Sequence, residues 1–139
     1  MNTDRFKFRV WSKVNNRYED DHLKLTQDGY LRVFHDGYKY DPEDEGYTIE
    51  QCTGLKDRNG KLIYEGDVVR TKEYGREVGG VNVWDYDTFT VKFDECRFCI
   101  DNDSRSFGLS ARSKVEIIGN IHDDKFHNLA KLVYGKDGE

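Results

Sequence analysis

The sequence predicts a mainly β protein, built as a small barrel or as compact antiparallel sheets, with an N-terminal β meander and a short C-terminal helix. Three observations carry that expectation. Apolar residues alternate with polar ones over many short segments, Asp-Gly and Asn-Gly pairs fall between those segments, and helical spacing is confined to one stretch near the C-terminus.

Phe6-Lys7-Phe8-Arg9-Val10-Trp11 alternates at period two. A strand here puts Phe6, Phe8 and Val10 on one buried face and Trp11 on the other, where a neighbouring segment can cover it. Leu23 to Gln27, Tyr30 to His35 and Tyr38 to Tyr40 are separated by Asp28-Gly29 and Asp36-Gly37, which supply the positive φ that two-residue hairpin turns require. They read as a three-stranded meander. Asp41-Pro42-Glu43-Asp44-Glu45-Gly46 holds the one proline and four acids, the pattern of a solvated loop rather than of a metal site. The expected internal boundary lies there. Residues 1–46 then carry the first strand, the meander and the acidic loop, and residues 47–139 a barrel-like region with the helix; one compact domain spanning both is the alternative.

Asn59-Gly60 turns the chain into Leu62-Ile63-Tyr64, and Glu65-Gly66-Asp67 punctuates it before Val68-Val69-Arg70-Thr71. Gly79-Gly80 precedes a strand at Val81-Asn82-Val83-Trp84. Thr88 to Phe93 forms another, with Phe89, Val91 and Phe93 on one face, and Val115-Glu116-Ile117-Ile118 offers the last. Asp123 or Asp124 then caps a helix in which Phe126, Leu129, Ala130 and Val133 follow i, i+3, i+4, i+7, with Gly135 as its stop. That face packs on the β core or docks a second chain.

A chain of 139 residues is long enough to bury a core without disulfides or metals. With 36% hydrophobic and 35% charged residues, its 9 Tyr, 8 Phe and 2 Trp must supply the bulky anchors. The net charge is −5, with eight basic against eleven acidic residues through Cys52 and fourteen against sixteen after it. Neither half is a basic module of the kind that displaces counterions from nucleic acid. Cys52, Cys96 and Cys99 cannot all pair within one chain, and the start Met1-Asn2-Thr3-Asp4-Arg5 lacks an apolar secretory run, so a reducing cytoplasm is expected. No stretch approaches the roughly 18 apolar residues of a membrane-spanning helix.

Three segments together resemble the YopX-like proteins of phages and prophages. Phe6-Lys7-Phe8-Arg9-Val10-Trp11 is similar to that family's amino-terminal element, with Val10 replacing the usual alanine. Cys52-Thr53-Gly54-Leu55-Lys56-Asp57-Arg58-Asn59-Gly60-Lys61-Leu62-Ile63-Tyr64-Glu65-Gly66-Asp67-Val68-Val69 matches its most distinctive signature. Val115-Glu116-Ile117-Ile118-Gly119-Asn120-Ile121-His122 resembles its terminal element, with His122 where tyrosine is common. The resemblance implies a mostly β fold that includes a small SH3-like barrel, and a setting in phage or prophage genomes. It brings no catalytic residues.

Within the signature, turn chemistry explains most of the charges and glycines. Gly60 and Gly66 serve tight turns, Asp57 and Asn59 bond backbone amides, and Asp67 caps the next turn. Gly54-Leu55-Lys56 lacks the spacing of a phosphate-binding loop. Cys96-Arg97-Phe98-Cys99 has the spacing of a zinc knuckle, but structural zinc takes four ligands and a second pair is missing; Cys52, His122 and His127 would complete a site only if folding gathered them. The motif reads as a strand or its turn. His22, His35, His122 and His127 fall in no His-Glu-x-x-His, and His122 and His127, five residues apart, stand about 140° apart on a helix. They read as surface histidines. No catalytic constellation, cofactor or metal is expected.

Two functions from different classes follow. The first is a noncatalytic phage or prophage accessory protein that binds a partner protein or assembles with itself, as a homo-oligomer. The alternative is a module binding single-stranded nucleic acid through Tyr64, Tyr74, Trp84, Tyr86, Arg70, Arg76 and Lys92, where aromatics interleave with basic residues as stacking platforms require. A metal-dependent enzyme is a third and weaker reading.

Overall fold

Alternation sets the first strand, but it begins two residues later than the sequence pattern. In the computed structural model, which describes residues 3–19, 23–33, 39–43, 46–103, 105–110 and 114–126 (the backbone alone at 33, 39–40, 72–78 and 81–87), Asp4–Phe6 is a 3-10 turn. The amides of Phe6 and Lys7 donate to the carbonyls of Thr3 and Asp4. Strand β1 (Phe8–Ser12) follows, with Val10 and Ser12 buried. Phe6 therefore leaves the buried face assigned to it and stands 57% exposed.

The strands continue as β2 (Arg17–Tyr18), β3 (Leu23–Leu25), β4 (Leu31–Val33), β5 (Lys39–Tyr40), β6 (Tyr47–Lys56) and β7 (Leu62–Tyr64). Then come β8 (Asp67–Val78), β9 (Val81–Asp94), β10 (Arg97–Asp101), β11 (Ser106–Gly108) and β12 (Val115–Asn120). They form curled antiparallel sheets that include a half-barrel, so the fold is mainly β as expected. One sheet has the order β2-β1-β6-β7, a second β11-β10-β9-β8-β12, and the third is the meander β3-β4-β5. Pairing of β1 with β6, from Phe8↔Gln51 to Ser12↔Tyr47, joins residues on both sides of the Asp41–Gly46 stretch.

The meander turns through Gln27-Asp28-Gly29, a three-residue loop rather than the expected two-residue turn, since Gly29 alone takes a positive φ and the Thr26 amide donates to the Tyr30 carbonyl at 2.8 Å. The Asp36-Gly37 turn lies outside the described residues. The segments expected as separate strands at Val81–Trp84 and Thr88–Phe93 are one strand, β9, because Tyr86 and Asp87 stay paired with Lys72 and Thr71 of β8. Long-range pairing here overrides the local turn preference of Asp85 and Asp87.

Ile63, Val69, Phe89, Val91, Ile100 and Val115 make the main core, with Leu55, Leu109 and Ile117 packed against it. The registers Val69↔Phe89 and Val91↔Ile100 bring them to one face. Phe89 is fully buried and its burial alone contributes about 2–3 kcal/mol. Phe93 lies on the same alternation but is 54% exposed, since β9 runs beyond the core. Near the C-terminus Asp124–Phe126 is a 3-10 turn; the helical pattern through Leu129, Ala130, Val133 and Gly135 lies outside the described residues. Among the described residues no helix is long and apolar enough to cross a membrane.

Candidate functional site

The three segments that carried the family resemblance meet in one polar cluster. Arg9 and Trp11 stand two residues apart on β1 and so share one face of the strand, with Arg9 opposite Glu50 in the β1–β6 register. The Arg9 guanidinium donates from Nε to Glu50 Oε1 at 2.7 Å, and from a terminal nitrogen to Asp67 Oδ1 at 2.8 Å and to the Glu65 carbonyl at 3.2 Å. Tyr18 donates its hydroxyl to Glu50 Oε1 at 2.9 Å, and His122 Nε2 lies 2.8 Å from Glu50 Oε2. Both oxygens of this buried carboxylate are thereby committed.

Aromatic rings enclose these charges. His122 stacks on Trp11 with centroids 3.9 Å apart and planes 4° from parallel, and Tyr18 meets both rings edge-on. Trp11 is thus covered by a residue read from the sequence as a surface histidine; the His122 side chain is only 14% exposed. The Arg9 guanidinium lies 4.7 Å from the Tyr18 ring and 4.9 Å from that of Tyr64. Burial opposes the Arg9 charge, but Asp67 and Glu50 outweigh it and hold the guanidinium above its ordinary pKa. Burial pushes Asp67 up, with Arg9 and the Tyr64 amide offsetting part of the rise. Burial, reinforced by Glu50, pushes the Tyr18 hydroxyl far up and keeps it a donor.

The central signature supplies the fittings. Gly66 has φ +85°, and a Cβ there would stand 2.7 Å from Glu50 Oε2, so this position needs both glycine's backbone freedom and its lack of a side chain. Asp67 Oδ2 accepts the Tyr64 amide at 2.8 Å, the turn cap that the sequence suggests. Asp57 accepts the amides of Asn59 and Lys61 within its turn, and additionally that of Ile117 at 3.0 Å in β12. Gly54, at φ +80°, lets the backbone of Arg5 cross β6: a Cβ would meet Arg5 Cβ at 3.0 Å. Gly54, Asp57, Gly66 and Asp67 of the signature thus join the N-terminal and C-terminal segments to the sheet.

A second feature lies where Arg5 crosses. Arg5, Phe6, Gln51, Thr53, Glu65, Phe93 and Phe98 line one open recess. Phe93 and Phe98, opposite each other in the β9–β10 register, sit edge-to-face at 5.1 Å. Phe6, expected on a buried face, and Phe93, expected on one face with Phe89 and Val91, come together here exposed. Each terminates its run of alternating residues, and that terminal position was the one signal of their fate.

Of the residues expected to contact nucleic acid, Tyr64 flanks Arg9, Arg70 pairs with Glu116 at 2.7 Å, and Lys92 pairs with Asp101 at 2.6 Å. Tyr74, Arg76, Trp84 and Tyr86 fall on the β8–β9 hairpin, in positions where the backbone alone is described. Cys96 is exposed in the turn before β10, Cys99 is buried within it, and Cys52 is buried in β6. Among the described residues no group of three or more His, Cys, Asp and Glu side chains is placed to hold a metal ion. The Glu50–His122 pair has the residue types of an acid–base couple, but Glu50 Oε1 is taken by Arg9 and Tyr18 and the His122 ring is stacked on Trp11.

Residues 7–125 match the family described as YopX protein. No curated protein matches the chain. Among solved structures it is similar to the crystal structure of protein EF1440 from Enterococcus faecalis, with 20% identity, a TM-score of 0.52, and coverage of 86% of this chain and 94% of the other. At that identity the likeness concerns the fold.

Proposed function

This chain belongs to the YopX family, and from that premise we propose that it is a noncatalytic module whose β scaffold docks another protein through the recess walled by Phe6, Phe93 and Phe98. The observation that carries this reading is that two large aromatics, each more than half exposed, are brought from distant parts of the chain into one concavity. Isolated exposed apolar residues are ordinary; gathered ones rimmed by polar groups mark interaction sites. Free cysteines at 52, 96 and 99 support a reducing cytoplasm, and the family supports a phage or prophage setting.

The alternative, binding of single-stranded nucleic acid by the β8–β9 hairpin, keeps Tyr74, Trp84 and Tyr86 as its platforms. The carboxylate partners of Arg70 and Lys92 and the net charge of −5 weigh toward a protein partner. Photo-crosslinking tests the choice: a benzoylphenylalanine at position 93 in cells is expected to trap one discrete protein, while the same group at Phe107, 46% exposed elsewhere, does not. Equal trapping from both positions, or none from position 93, would sink the docking reading. Sedimentation equilibrium shows whether the trapped protein is a second copy.

A further inference from the structure

Resting on the docking reading, we infer that the recess recognises a peptide segment of a partner protein in which an aromatic or long aliphatic side chain is followed by a carboxylate. Apolar walls come from Phe6, Phe93 and Phe98. The carboxylate is called for by Arg5. Its guanidinium lies 4.7 Å from the centroid of the Phe6 ring and forms no ion pair with a described residue, whereas the neighbouring Lys7 is paired with Asp4 at 3.0 Å. An arginine held over a ring, with no carboxylate partner among the described residues, offers its planar guanidinium fork to an incoming carboxylate.

The floor adds acceptors. Gln51 spends its Nε2 on the Arg5 carbonyl at 2.6 Å, and its Oε1 receives no hydrogen bond from a described residue. Glu65 Oε1 accepts the Gln51 amide at 2.9 Å, leaving Oε2 in the same condition. Two acceptors beside an apolar wall suit the N–H groups of a peptide backbone. Geometry holds the arrangement, since the Gln51–Arg5 bond and the Arg5 backbone lying against Gly54 fix the arm across β6.

A random heptapeptide library displayed on phage and selected on the full chain tests the assignment. The expected winners carry Phe, Tyr, Trp or Leu followed within two positions by Asp or Glu. Their affinity, by fluorescence anisotropy of the synthesised peptides, should fall about tenfold or more in Arg5→Gln, recover partly in Arg5→Lys, and be lost in Phe93→Ala. Unchanged melting temperatures would confirm that these exposed positions leave the fold intact. Peptides that need Phe93 but bind Arg5→Gln equally, or that are enriched in Lys and Arg, would overturn the carboxylate assignment and leave the docking reading standing. Selection of no Phe93-dependent peptide would overturn both. Phe93-dependent binding of a twelve-residue thymidine oligonucleotide, without such peptides, would overturn the peptide in favour of nucleic acid.

Discussion

The polar cluster around Glu50 and the recess around Phe93 invert the usual placement of residues. In the first, a half-buried guanidinium bridges two buried carboxylates; in the second, three phenylalanines line an open concavity. Desolvating ions is costly and leaving aromatics wet forgoes their burial. The difference teaches which features serve which purpose: the charged residues, which look reactive in the sequence, hold the fold, and the apolar residues, which look like core, are free to meet something else.

The sharpest way to break that contrast is Glu50→Ala, which removes the partner of the Tyr18 hydroxyl and of His122 and leaves Asp67 as the one carboxylate against the Arg9 guanidinium. A loss of about 4 kcal/mol in urea unfolding is expected, against no more than about 0.5 for Phe93→Ala. Comparable losses from the two variants would dissolve the distinction. Gly66→Ala should follow at about 3 kcal/mol, combining a positive φ with a contact against a carboxylate held in place by His122. Melting temperature reads it directly.

Asp57→Ala should cost about 2 kcal/mol at neutral pH, because three amides lose an acceptor. Burial works against the Asp57 charge, but the amides of Ile117, Lys61 and Asn59 outweigh it and hold its carboxyl below the ordinary 3.8. A depressed folded-state pKa contributes stability above the unfolded value and loses it as pH falls through the folded value. The gap between parent and variant should therefore be full above about pH 5 and shrink below 3.8. A gap that widened on acidification would contradict the assignment. The smallest effect tests the converse of the cluster: Thr90 is fully buried and its hydroxyl finds no hydrogen-bond partner among the described residues. Thr90→Val keeps the shape and should raise stability by up to about 1 kcal/mol in the same unfolding assay.

What could be read from the sequence was what is local. The alternation at Phe8 and Val10, the meander's first turn, the bonds of Asp57 within its own turn and the Asp67 cap all involve residues a few positions apart. The cluster was hidden because its pairs span 41, 58 and 72 residues, and nothing about Arg9 or His122 alone names Glu50. The recess was hidden for a different reason. Period two assigns a face, and Phe6 and Phe93 obey or abandon it according to where the core happens to end.

The stacking of His122 on Trp11 has a bearing on synthesis. A ribosome must extend the polypeptide 72 residues past Glu50 before that carboxylate receives its last partner. Copies released early, short of His122, leave the Trp11 ring without its stacking partner and Glu50 Oε2 without its hydrogen bond, so the last folding contacts of this cluster wait on the C-terminal segment.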